Sequence, residues 1–248
     1  MLKAALEYFT SIVAGSLEPH VLNINGKTLV DRKLNRYDCK DYAEQITIQT
    51  LTGLIDYISA GELPTGCFIR VVDPENVFIQ TPLDEYRKRE TLIRCTAGTP
   101  YFRYNSWMEQ EEFIIGLQAC FQPTDDLALV RKFAGTVEAS TISTYGDDGI
   151  TQKAQIQTGI ASKSEVICPN PVILKPYRTF SEISSQPESA FVFRVKNENG
   201  KPYFKLIEAD GGAWRSEAMD AVAQWIEAHI PDDAFPADVP GRAYTIIS

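Results

Sequence analysis

Residues 189–208 leave little freedom of structure. Phe191, Phe193 and Val195 alternate with Val192, Arg194 and Lys196, and Tyr203 to Glu208 alternates again. Asn197-Glu-Asn-Gly200 lies between the two runs. Period-two alternation marks a half-buried strand, and Asn-Gly supplies the positive φ of a tight turn. An antiparallel hairpin over Phe191–Lys196 and Tyr203–Glu208 is expected, and it sets the fold class toward antiparallel β structure.

The rest of the chain alternates between strands and helices. Leu2, Leu6, Phe9 and Val13 share one stripe at helical spacing, so the chain starts with a short helix. Val21–Ile24 and Thr28–Val30 pair across Asn25-Gly26. Residues 31–44 read as a charged surface loop. Gln45–Thr50 is a half-buried strand, and Leu51–Ile58 a helix ended by Gly61 and Pro64. Cys67–Val72 and Val77–Gln80 form an antiparallel pair across Asp73-Pro-Glu-Asn76, and Thr91–Thr96 is another strand. Ser106-Trp-Met-Glu109 has the form of a capping box and is expected to open a helix through Phe121. Thr124 starts a second helix that Gly135 stops. Val166–Cys168 and Val172–Pro176 are strands, Ser216–His229 is an amphipathic helix, and Tyr244–Ile247 closes the sheet.

One segment departs from this pattern. Thr136–Tyr145 and Ile150–Ile160 flank the turn Gly146-Asp-Asp-Gly149, and both faces are rich in Thr, Ser, Gln, Glu and Lys. Arms of about ten residues span roughly 33 Å. Half-buried strands show one apolar face, and this hairpin, about 136–160, hardly does. It is expected to project, and to meet another subunit or a partner through Thr141, Ser143, Tyr145, Gln152, Lys153 and Gln155.

Composition excludes several function classes. The 248 residues are 44% hydrophobic and 23% charged, with a net charge of −9. That is globular composition with ample material for a core. Acidic residues outnumber basic ones in every third of the chain, which argues against affinity drawn from neutralising many phosphates. Arg87-Lys88-Arg89 is the one basic triplet and reads as a turn or strand edge. No apolar run is long enough to span a membrane, so no membrane is expected as a partner and the location is read as cytoplasmic. The five cysteines, Cys39, Cys67, Cys95, Cys120 and Cys168, stand at least 25 positions apart and form no C-x-x-C. Reduced, mostly buried thiols are expected.

No catalytic, cofactor-binding or metal-ligating residues are assigned. His20 and His229 are the only histidines, and His229 at a helix C-terminus reads as structural. No serine lies in a nucleophile elbow and no phosphate loop is present. Asp125-Asp126, Asp147-Asp148 and Asp232-Asp233 read as a helix start and two turns. Gly211-Gly212 before a helix reads as a tight connection. The two central helices resemble a DNA-reading pair only loosely, and Asp125-Asp126 would repel a phosphate backbone there. Tyr101, Arg103, Tyr104 and Trp107 form the best candidate for single-stranded nucleic acid, since bases stack on aromatic rings and Arg can grip phosphate. The competing reading is core packing. Tyr177-Arg-Thr-Phe180 has the same two readings.

The C-terminal half resembles the YfdQ-like family of phage and prophage proteins. The likeness rests on a strand ending in Pro176-Tyr177, a bend with Phe180, and the strand Ser189-Ala-Phe-Val-Phe-Arg194. Pro202-Tyr-Phe-Lys-Leu-Ile207, the amphipathic helix and a final Tyr-containing strand complete it. About 80 residues are covered well, and the central helices and Asp73-Pro-Glu-Asn76 match more loosely. The resemblance implies a phage accessory gene near early recombination functions, in the cytoplasm of a bacterial host. It transfers no catalytic residues.

The resulting expectation is one α+β domain over 1–248, with a loosely separate N-terminal region, residues 1–100, allowed. Its largely antiparallel sheet is flanked by four or five helices. Self-association through 136–160 is expected, giving a homo-oligomer. The leading functional reading is a non-enzymatic accessory protein that binds a host or phage protein and counters a bacterial defence. The alternative is a recombination-associated protein that binds single-stranded DNA. A third is an enzyme or nucleotide-binding protein whose site is assembled by oligomerisation.

Overall fold

A computed structural model of the chain describes residues 2–17, 21–24, 27–30, 43–85, 87–137, 143–144, 152–157, 163–167, 170–231 and 246–247. Two compact units are present, Met1–Tyr42 and Ala43–Ser248. The division falls inside the N-terminal region of 100 residues that the sequence allowed to stand apart.

In the first unit, α1 (Leu2–Leu17) precedes β1 (Val21–Ile24) and β2 (Lys27–Val30). The two strands pair antiparallel, with Val21 opposite Val30 and Ile24 opposite Lys27. The turn residues Asn25-Gly26 lie outside the described residues, as do His20 and Cys39.

The second unit begins with β3 (Ile46–Ile48), α2 (Leu51–Ser59), β4 (Phe68–Asp73), β5 (Asn76–Gln80) and β6 (Thr91–Thr96). Next come β7 (Met108–Glu109), α3 (Gln110–Cys120) and α4 (Asp125–Thr136). They are followed by β8 (Ser143–Thr144), β9 (Gln152–Gln157), β10 (Lys163–Ile167) and β11 (Val172–Leu174). The hairpin β12 (Ser189–Glu198) and β13 (Lys201–Glu208), α5 (Trp214–His229) and β14 (Ile246–Ile247) complete it. The fold is α+β, and most strand pairs are antiparallel. The strands divide among separate sheets. A five-stranded sheet has the order β14-β4-β5-β6-β3, with parallel pairs at both edges. A four-stranded antiparallel sheet has the order β11-β12-β13-β7.

Each of these two sheets carries its own core. Inward residues of the β12–β13 hairpin, Phe191, Phe193, Val195, Phe204 and Leu206, meet Phe113 and Leu117 of α3 and Val130 and Phe133 of α4. Phe113 stacks on Phe193 and Phe204 with ring centroids 5.7 and 5.2 Å away. Each such ring contributes about 1.5–3 kcal/mol by leaving water. The hairpin turn is as expected, with Asn199 and Gly200 both at positive φ, 55° and 79°. The second core joins α2 and α5 to the five-stranded sheet through Leu54, Ile58, Ile79, Ile93, Val222 and Ile226.

Segment 176–189 ties the cores together. Phe180 and Ile183 enter the second core, whereas Leu174 and Phe191 on either side belong to the first. Gln186, 2% exposed, accepts a bond from the Arg178 N–H at 3.1 Å and donates to the carbonyls of Phe180 and Ile183, each at 3.1 Å. Tyr177-Arg-Thr-Phe180 is therefore interior structure rather than a base-stacking surface.

The capping box is corrected. Met108 and Glu109 pair with Phe204 and Tyr203 of β13, so α3 starts at Gln110 and its N-cap, Glu109, makes no side-chain cap bond. Sheet pairing claims the residues that the box would use. Thr124 does cap α4, its Oγ1 accepting from Leu127 N–H at 3.1 Å. That helix runs one residue past Gly135 to Thr136.

The polar segment is only partly described. Ser143 and Thr144 pair with Lys153 and Gln152, and the other edge of β9 pairs with β10, Gln155 lying opposite Glu165. β9 is thus the middle of a three-stranded sheet, where the sequence suggested a two-stranded arm. Thr141, Tyr145 and the turn Gly146-Asp-Asp-Gly149 lie outside the described residues, as do Cys168 and Asp232-Asp233. Among the described residues no helix is long and apolar enough to cross a membrane.

Candidate protein-binding groove

The loop after β6 brings Tyr101, Phe102 and Arg103 against α3. Gly116 makes the approach possible. A Cβ there would lie 2.9 Å from Phe102 Cε2. With hydrogen instead, the Phe102 ring packs on the helix backbone and meets Phe113 and Phe121 edge-on. The Cys120 thiol donates to the Tyr101 carbonyl at 3.6 Å, which holds the loop to the end of the helix.

Between loop and helix lies an open groove of about 670 Å³. Ile115, Gly116, Ala119, Met108 and Phe102 supply its apolar lining. Tyr101 stands at its edge, 84% exposed, and Ile115 is 55% exposed. Glu109, Glu111, Glu112 and Arg103 are the charged residues of the rim. Arg103 forms an ion pair with Glu112, leaving the rim acidic in balance. An apolar floor with a few charged groups at its edge is the usual form of a recognition pocket.

The four aromatic and basic residues singled out from sequence do not form one surface. Tyr101 and Arg103 belong to the groove. Tyr104 is half-buried and stacks on Phe191, centroids 5.6 Å apart. Burial pushes its hydroxyl well above the ordinary tyrosine range, with Glu208 and Cys120 adding to the rise and Arg178 opposing it. Trp107 is 36% exposed and stands with residues the sequence did not link to it. Lys196 Nζ and Lys205 Nζ each lie 4.8 Å from its ring centroid, and Lys196 is 5.4 Å from the Tyr203 ring. Lys196 and Lys205 are two of the polar residues that alternate with the buried phenylalanines. The period-two pattern therefore placed them on one face, but only the pairing of β7 with β13 put Trp107 beside them.

A third cluster is structural. Arg178, 7% exposed, donates Nη1 to Glu208 Oε1 at 2.6 Å and Nη2 to the Ser189 hydroxyl. Its guanidinium lies 3.9 Å from the Trp214 ring centroid. Ser189 donates to Asp210, whose other oxygen accepts from Gly212 N–H at 3.0 Å. Gly212 has φ +82°, a backbone conformation that side chains rarely adopt, and a Cβ there would press on Arg215 Nη1. The Gly211-Gly212 connection therefore has a steric reason. Asp126, one of the two acidic residues at the helix start, accepts from the backbone N–H of Ile173 at 2.7 Å and so fastens α4 to β11. His229 is exposed; its ring stacks on Trp225, centroids 3.9 Å apart, and its Nδ1 lies 2.7 Å from the Trp225 carbonyl.

Comparison with protein-family models, curated proteins and solved structures found no match to this chain.

Proposed function

We propose that this chain is a non-enzymatic phage or prophage accessory protein that acts by binding another protein. The groove between Tyr101 and α3 receives a partner segment that carries an apolar side chain flanked by Lys or Arg. The single observation behind this reading is the groove's composition, an exposed apolar floor beside a glutamate-rich rim. Opposite charge at a rim steers association and selects partners, while the apolar centre supplies affinity. The resemblance to the YfdQ-like family supports the phage setting and a host or phage protein as partner, with counter-defence as the role.

The test is a photo-cross-linker at Ile115, with one at Leu129 of α4 as the exposed control. In infected host cells, the Ile115 probe is expected to trap a discrete basic partner that the Leu129 probe does not. Glu111→Lys together with Glu112→Lys should weaken the trapped complex ~10-fold or more, as expected when rim charges change sign. Equal products from both probes would remove the groove from consideration.

A second reading has its own observation, the two ammonium groups over Trp107. Single-stranded DNA bound there would stack on Trp107 and place phosphates on Lys196 and Lys205. Fluorescence anisotropy of labelled single strands would show salt-sensitive binding that Trp107→Ala abolishes. No binding at low salt would dispose of this reading.

A further inference from the structure

The first unit has no core of its own among the described residues. None of its described side chains is buried. Along α1, Leu2, Leu6, Phe9, Ile12 and Val13 are all exposed, from 49% to 86%. Large apolar side chains of β1 and β2 are exposed as well. A lone two-stranded hairpin is marginal in water, and modules near 40 residues usually need oligomerisation or a covalent staple.

We infer that this unit is covered by its counterpart in a second copy of the chain, with α1 packing antiparallel on α1. Three observations favour a second copy. First, the stripe Leu2, Leu6, Phe9 and Val13 is spaced 4-3-4, the pattern that keeps a seam facing a parallel or antiparallel partner helix. Antiparallel pairing about the midpoint between Glu7 and Tyr8 sets Leu2 against Val13 and Leu6 against Phe9, so each larger residue meets a complementary one. Second, Lys3 and Glu7 are the only charges in α1, and both lie off the seam. No like charges face one another across it, and the opposed helix dipoles attract. Third, the area suffices. Ten large apolar residues of this unit are exposed. Tyr8 faces away from the seam, and Val21 with Val30 lies on the opposite face of the hairpin from Leu22 with Ile24, so about seven of the ten can face one partner. At roughly 60–120 Å² apiece they supply about 400–850 Å², a range that reaches the ~800 Å² each partner buries in a standard interface. A membrane surface suits α1 less well. Helices that lie on membranes are rich in Lys and Arg on the polar face, and this one has Lys3 balanced by Glu7. The contact is separate in sequence from the polar segment 136–160.

Sedimentation equilibrium of the full chain tests this. The expected mass is twice 27.7 kDa. Leu6→Glu with Phe9→Glu should weaken dimerisation by at least ~100-fold, since each copy would bury charges in an apolar seam. Trp107, Trp214 and Trp225 all lie in the second unit, so unchanged tryptophan fluorescence shows that this unit stays folded, and an unchanged helical circular-dichroism signal shows that α1 does. Should the double variant lose either signal, Leu6→Ser alone gives the same reading. A wild-type chain of single mass overturns the inference, and so does a dimer whose dissociation constant the substitutions leave unchanged. A monomer that co-sediments with neutral or anionic vesicles through α1 also overturns it. The experiment is independent of cross-linking from Ile115, so either result stands whatever the other shows.

Discussion

Arg178 is the residue with most at stake. Burial lowers its pKa from the ordinary arginine value, opposed by the nearby Tyr104, Glu208 and Asp210. Removing one member of a buried charged network leaves the others unpaired. Arg178→Ala is expected to cost about 3 kcal/mol in urea unfolding, the low end for such a loss because Glu208 keeps some access to water. Arg178→Lys should recover only a fraction of it, since an ammonium cannot both fork to two oxygens and lie flat on Trp214. Asp210 makes the network sensitive to acid. Burial by itself raises its carboxyl, but the Ser189 hydroxyl, the Gly212 N–H and the Arg178 charge outweigh that and hold it below its ordinary 3.8. A depressed carboxyl contributes stability that is fully present above its unfolded pKa and is lost as pH falls through the folded one. Asp210→Asn should therefore be less stable than wild type at pH 7. The gap between their urea midpoints should close as pH drops below about 4. A gap independent of pH would show that charge at Asp210 contributes nothing.

At the scale of elements, the two central helices show where local signals hold and where they yield. Both starts were readable as caps, Ser106 for α3 and Thr124 for α4. Only Thr124 caps, because no strand pairing takes the backbone of Asp125 to Leu127 away from the helix. Ser106 loses its role when Met108 and Glu109 become a sheet edge. Thr124→Ala is expected to cost about 1 kcal/mol, the usual value of a lost cap. Ser106→Ala should stay within ~0.5 kcal/mol, as for an exposed residue without a structural partner. Thermal denaturation of the two variants decides, and equal losses would restore the capping box. The hairpin behaves the opposite way. Its alternation and its Asn-Gly turn agree with the sheet pairing, so β12 and β13 appear where expected, extended by two residues at each end of the turn.

At the scale of the whole molecule, two cores in one unit share the strap from β11 to β12, and Gln186 binds that strap to itself and to Gln122. They are expected to unfold together. Their buried thiols can report it, since Cys95 lies in one core and Cys120 in the other. Burial pushes both thiols up, Cys95 to about 12 with help from Glu182, which slows their alkylation in the folded state; Cys120 also lines the groove, so its opening is read from the urea-dependent part of its rate. Opening free energies from alkylation rates should agree within ~0.5 kcal/mol for the two, and a larger gap would show that the cores open separately. Much of this architecture was legible beforehand. Helix stripes such as Leu127, Val130 and Phe133, the β4–β5 pair and the β12–β13 hairpin follow from periodicity and turn chemistry. Those signals depend only on residues a few positions apart, so the sequence by itself determined the elements and their inward faces. The tertiary structure alone decided which faces meet. Tyr203 and Glu109 are 94 positions apart, yet their strand pairing sets the edge where α3 begins. Trp107 joins Lys196 and Lys205, Arg103 joins Glu112, and Arg178 turns inward for the same reason. Each depends on which strand pairs with which, and non-local pairing leaves no period in the chain to read.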